Sequence, residues 1–375
     1  MLKNLWYERS CRWAVQVYDP SWTEAAIIRG LTRLPQLQDL QLTLNRVTPL
    51  FERPVGHKGI QLDLLSGLKK FSLLGDHIHL PRDITTGLAG LIAKSPQLVH
   101  LEVKLGHYGI SLDTRPTLHD VLSKVPEDHP LQLTHLALNR TGICVDSFTL
   151  PHLRSLISLD LRNLPTPSNL IYDAERLERA CSTADVCAIL KQEGIYLKHV
   201  VVSDVGVFDY LCSYSGLETL DLCSMNFKSI EESNTSARTF FKSVLPQLVH
   251  SLQVLKIQPK QEGRWCFNPD DDFQSVALSQ CNKLRSLTVS LNSTSSMQII
   301  VFRNCVLHRY KDNLDDTVCP GDLTFQLPMW QELTHCRSHH SSTYRSTYPL
   351  SMKFVLSYQG LHSRAVLLSR VPRVW

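Results

Sequence analysis

Residue types that bind metals or act as nucleophiles gather at three points in this chain. "HCRSHH" (335–340) offers His335, Cys336, His339 and His340. These are metal-ligand types, but they crowd into one short stretch without the second, separated cluster that a structural zinc site uses. Cys181 and Cys187 flank Ser182 in a stretch with helical character, where packing is the simpler role for both thiols. Asp270, Asp271 and Asp272 lack the alternating acids of a calcium loop and open a helical stretch, where acids complement the helix dipole. No G-x-G-x-x-G, G-x-x-x-x-G-K-[ST], H-E-x-x-H or G-x-S-x-G occurs. No catalytic, cofactor-binding or metal-binding residue is therefore expected, and the chain is not expected to be an enzyme.

What positions its side chains is a recurring pattern. "LPQLQDLQLTLNRV" (34–47) spaces its leucines by three and then by two, a change of period that neither a helix nor an isolated strand gives. Similar stretches follow as "GLKKFSL", "QLVHLEV", "QLTHLAL", "SLISLDL", "YLKHVVV", "GLETLDL", "SLQVLKI" and "KLRSLTV". Their first apolar residues stand at 37, 68, 98, 133, 156, 197, 217, 252 and 284, with steps of 20 to 41 residues. This is a loose leucine-rich-repeat pattern, L-x-x-L-x-L-x-x-N. Each copy supplies a short strand whose alternate residues face inward, and the leucine three positions earlier enters the same core. One copy cannot cover its apolar face alone, so the copies must stack. The terminal asparagine appears only at Asn45 and Asn292, with Asn226 one place late, so no continuous asparagine ladder is expected.

The intervening segments read as helices. Ser21 and Glu24 form a capping-box pair ahead of Ala25, Ile28 and Leu31. "PRDITTGLAGLIAKSPQL", "DTRPTLHDVLSKV", "ERLERACSTADVCAILKQEG", "SARTFFKSVL" and "PDDDFQSVALSQC" continue the series. Pro-Gln-Leu recurs at 35, 96 and 246, and proline there is expected to end a helix and turn the chain toward the next strand. Strands alternating with helices imply an α/β class. The expected architecture is an irregular leucine-rich-repeat horseshoe with a parallel sheet on its concave face and helices on its convex face. The strands should centre near Gln41, Ser72, Glu102, Ala137, Asp160, Val201, Asp221, Lys256 and Thr288. Residues 1–20 read as an N-terminal cap segment, 21–333 as the repeat domain and 334–375 as a Ser/Arg-rich, poorly ordered tail.

The net charge of +4 hides an asymmetry. All 35 acidic residues and 33 of the 39 basic ones precede Thr334, so the repeats carry no basic excess of the kind that nucleic-acid binding needs. No run approaches the roughly 18 apolar residues that span a membrane. The opening residues lack the apolar core of a secretory signal. The 11 cysteines form no spaced framework and read as reduced thiols, several of them buried. An intracellular location, cytoplasmic or nuclear, is expected. On that basis the sequons at Asn139, Asn234 and Asn292 read as coincidental.

Over roughly residues 20 to 333 the repeats resemble the leucine-rich half of F-box proteins, above all an irregular group from mushroom-forming fungi. The resemblance implies a substrate-recognition module whose F-box docks on a Skp-type adaptor of a cullin ubiquitin ligase. No stretch of residues 1–30 reads as an F-box, which suggests a truncated or diverged member. Two other readings remain open. One is a repeat scaffold unrelated to ubiquitin. The other is a ribonuclease-inhibitor-like regulator of a small GTPase.

Aligning the copies selects a candidate protein-binding strip on the concave face. It runs through Glu102 and Lys104, Asn139, Asp160 and Arg162, Ser203, and Asp221. Charges at outward positions steer association with a partner.

Overall fold

The computed structural model describes residues 9–16, 21–45, 60–75, 82–105, 117–139, 141–162, 164, 181–225, 227–260, 263–267 and 272–290, with short strand segments beyond 300. They fall into two compact units, Met1–Leu217 and Glu218–Trp375.

The first unit is α/β. Its strands are β1 (Ser10–Gln16), β2 (Asp39–Asn45), β3 (Lys70–Gly75), β4 (His100–Leu105), β5 (His135–Asn139), β6 (Ser158–Arg162) and β7 (His199–Val202). All pair in parallel, each with its neighbours in sequence. The register aligns Leu40, Phe71, Leu101, Leu136, Leu159 and Val200 across β2 to β7, and each is buried. The leucines three positions earlier (37, 68, 98, 133, 156 and 197) are buried with them. Each such side chain contributes about 1.5–3 kcal/mol by leaving water. Within β5 burial alternates, with Leu136 and Leu138 covered while His135, Ala137 and Asn139 are half-buried. One face of the sheet is thus covered and the other open.

Successive copies are stitched where each strand begins. The Gln38 carbonyl accepts from Lys69 N–H and Lys70 N–H, and the Lys69 carbonyl from Val99 N–H and His100 N–H. The same pairing recurs at the carbonyls of Val99, Thr134 and Ile157.

Between the strands lie α1 (Ser21–Leu31), α2 (Arg82–Ala93), α3 (Leu118–Leu122), α4 (Leu150–Leu153), α5 (Thr183–Gln192) and α6 (Phe208–Leu211). Thr117 and Asp120 cap α3 reciprocally, as Ser182 and Asp185 cap α5. A 3-10 turn at Leu62–Leu64 lies close against α2 because Gly87 and Gly90 leave room for it. The side chains of the capping pair expected at Ser21 and Glu24 lie outside the described residues, as does much of the helix expected from Glu175. Its described part corrects the expectation: Cys181 and Ser182 are not helical, and Ser182 is an extended N-cap from which α5 starts at Thr183.

In the second unit β8 (Thr219–Met225), β9 (Val254–Pro259) and β10 (Ser286–Val289) pair in parallel. Ser224 takes a φ of 50° where the β8–β9 register shifts between Cys223 and Met225. α7 (Ile230–Thr239) runs into a π-helical turn (Phe240–Val244), then α8 (Leu245–Leu248), and α9 (Asp272–Ser279) follows β9. This corrects the expectation for Pro246, which continues a helical path instead of ending one. Pro246 occupies the first turn of α8, where its missing N–H costs little. Phe240 and Phe241 pack on the buried Trp265, and Phe273 packs on Phe241.

The strands at the nine expected centres are present and parallel within each unit. Three features were not expected. β1 adds a strand within residues 1–20, Pro246 is helical, and β13 (Leu323–Gln326) runs antiparallel to β10. Beyond Ser290 the described strands also include β11 (Ile300–Phe302) with β14 (Leu333–His335), and β12 (Arg309–Tyr310) with β15 (Lys353–Phe354). The remainder of the expected tail lies outside the described residues, as do Asn226 and Asn292.

Candidate binding face of the sheet

The open face of the first unit presents alternate residues of neighbouring strands as rows. The middle row reads Gln41, Ser72, Glu102, Ala137, Asp160 and Val201, and the next row contains Lys104, Asn139 and Arg162. Four of the strip residues meet there. Lys104 Nζ lies 2.5 Å from Glu102 Oε1 and 3.2 Å from Asp160 Oδ2, and Arg162 Nε donates to Asp160 Oδ1 at 3.1 Å. Asn139 stands between Lys104 and Arg162 in the register. Ser203 follows β7 and is half-buried. Asp221 belongs to the second unit, where its Oδ2 lies 3.9 Å from Lys256 Nζ.

Burial departs from a simple solvated strip. Asp160 is only 7% exposed, and the side chains of Lys104 and Arg162 are 27% and 37% exposed. The carboxylate sits low and its two cations cover it. Burial pushes the Glu102 carboxyl up, but hydrogen bonds from Lys104 and Ser72, with the charges of Lys104 and His100, bring it below its usual value. The network therefore holds Glu102 ionised beside cations that still reach solvent.

A row of histidines on the same face was not singled out from the sequence. His100 and His135 stand at the first position of neighbouring strands with ring centroids 5.4 Å apart, and His199 follows one strand beyond Ser158. The signal was available: a histidine precedes the first inward residue in "VHL", "THL" and "KHV".

The other chemical candidates resolve as structure. Cys187 is buried in α5, and burial followed by the charge of Asp204 pushes its thiol up to about 12, so it carries no reactive thiolate. The Ser182 hydroxyl is engaged in its cap. Asp272 opens α9, while Asp270, Asp271, Cys336, His339 and His340 lie outside the described residues. Among the described residues no group of His, Cys, Asp and Glu is placed to hold a metal ion, no cysteine is disulfide-bonded, and no helix is long and apolar enough to cross a membrane. No family model and no curated protein matches the chain, so what this face does must be read from its own residues.

Proposed function

We propose that the chain is a leucine-rich-repeat solenoid that acts without catalysis, binding a protein through the open face of its sheet. The observation that carries this reading is the charged network of Glu102, Lys104, Asp160 and Arg162 on one covered-and-open sheet. Its cations are held at fixed spacing, so a partner meets them with little further ordering cost. The small Ala137 between them lets Lys104 reach across β5 to Asp160. Following the resemblance of the repeats, the reading extends to substrate recognition of the F-box type, with a Skp-type adaptor as the second partner.

Two baits test this: the full chain and its Arg162→Ala variant, compared at equal thermal stability. A protein bound by the first and at least about tenfold more weakly by the second supports the face as the site, since losing a charge buried at an interface costs about 2–5 kcal/mol. Partners that bind both baits equally overturn it. A Skp-type adaptor retained by both baits supports the ubiquitin-ligase reading, and its absence leaves a repeat scaffold.

A further inference from the structure

The first positions of β3 to β7 form a row: Lys70 on β3, His100 on β4, His135 on β5, Ser158 on β6 and His199 on β7, with Asp39 of β2 beside Lys70 at its end. With strands about 4.8 Å apart, four steps span about 19 Å. From Lys70 to His199 the row contains no carboxylate. Lys70 is exposed, and His100, His135, Ser158 and His199 are half-buried, so the row reaches solvent.

The charges around this row differ from those of the middle of the face. There, Glu102 and Asp160 are paired with Lys104 and Arg162. His100 faces Asp39 on β2, Lys70 on β3, and Glu102 and Lys104 on its own strand. His135 faces His100, His199 and Lys70, each of which disfavours its protonation, and its Nδ1 lies 2.8 Å from Thr134 Oγ1. His100 and His135 are further discouraged from charging by burial. A carboxylate laid over His135 would reverse this balance.

We propose that the row from Lys70 to His199 seats an Asp/Glu-rich segment of a protein partner, and that it grips this segment more tightly as pH falls below neutrality. The inference rests on the preceding reading of this face as protein-binding. The favoured ligand is a carboxylate-rich peptide because of the charge count. Strands β2 to β7 present Asp39, Glu102 and Asp160 on this face against Lys70, Lys104 and Arg162. That balance lacks the permanent cationic excess that a phosphate backbone demands. What can be added to it is charge on imidazoles, whose ordinary titration falls near pH 6.5.

Fluorescence anisotropy with the full chain tests this, using labelled deca-glutamate, deca-lysine and deca-deoxythymidylate as probes. Deca-glutamate is expected to bind about tenfold tighter near pH 5.5 than near pH 7.5, within the usual size of a coupling between sites. The His100→Gln/His135→Gln/His199→Gln variant should bind it equally at both pH values and as weakly as the wild type near pH 7.5. A second measurement holds if that variant melts under acid: the His135 ring titration in the wild type, read by NMR, should move to higher pH when deca-glutamate saturates the protein. Binding independent of pH, a pH dependence that survives the triple substitution, or an unmoved His135 titration overturns the proposal. So does tighter binding of deca-deoxythymidylate or deca-lysine than of deca-glutamate. A natural partner that loses affinity with Arg162→Ala but ignores the histidines would sink this inference alone. A partner indifferent to Arg162 would sink the broader reading.

Discussion

Asp160 would look from its sequence position like a solvated charge, yet it lies beneath Lys104 and Arg162 and holds them both. Asp160→Asn takes from Lys104 and Arg162 the carboxylate they share, leaving Glu102 to Lys104, and should destabilise the chain by about 1–3 kcal/mol in urea unfolding. Arg162→Ala leaves Lys104 in place to serve Asp160 and should cost less than about 1 kcal/mol, because its side chain is more than a third exposed. His152 is a second buried polar side chain with a fixed partner. It is 1% exposed, and its Nδ1 accepts the Leu131 N–H at 2.9 Å, which requires the neutral ring. His152→Phe strands that buried N–H and should cost about 1–3 kcal/mol. Burial lowers the pKa of His100, His135 and His152 from the ordinary 6.5, so the unfolded chain binds more protons than the folded one just below that value. Stability should therefore be full above pH 6.5 and fall as acid passes through the lowered values of the folded state. Urea midpoints measured across that range would check the sign, and midpoints that rise with acid would refute it.

At the scale of single elements, α2 offers a paired test. A Cβ at Gly87 would meet Ile60 O and Leu62 at 3.5 Å, an ordinary contact, so Gly87→Ala should gain up to about 1 kcal/mol of helix propensity. A Cβ at Gly90 would come within 2.8 Å of Asp63 Cβ, so Gly90→Ala must push the 3-10 turn away and should cost about 1–3 kcal/mol. Urea melts of the two variants should shift in opposite directions. Leu159→Ala, in the covered row of β6, should lose about 2–5 kcal/mol. Strands of this kind were legible because two inward residues and a leucine three positions earlier make a pattern that chance rarely repeats. β1 was not, because Glu8 stands where the other copies place that leucine, leaving only the alternation of Cys11 and Trp13. α4 and α6 are each four residues long, too short for a helical period to appear. Pro246 misled because a π-helical turn carries the chain into the helix that contains it. On the open face, the alignment found Glu102, Lys104, Asp160 and Arg162 but not who pairs with whom, since side-chain reach across strands is not written in the spacing. The histidine row is invisible within any single copy and shows only when the first positions of neighbouring copies are set side by side.

At the scale of the molecule, β1 is the edge strand of the first sheet. Its outward residues Ser10, Arg12 and Ala14 are exposed, while Trp13 is only 9% exposed. Removing residues 1–36 would take away the buried Trp13, Ile28 and Leu31 and uncover the apolar side chains of β2, an exposed apolar face that invites association. The shortened chain should elute as concentration-dependent oligomers in size-exclusion chromatography, and a clean monomer would show that this cover is dispensable. The strictly sequential pairing of β1 to β7 also bears on how the chain is made. Every strand finds its partner in the segment that left the ribosome just before it, and none waits for the C-terminus. At about 5–20 residues per second, a spacing of about thirty residues delivers a new strand every few seconds, slowly enough for each pair to close on a finished template. Synthesis and folding of this unit would then advance together, one strand at a time.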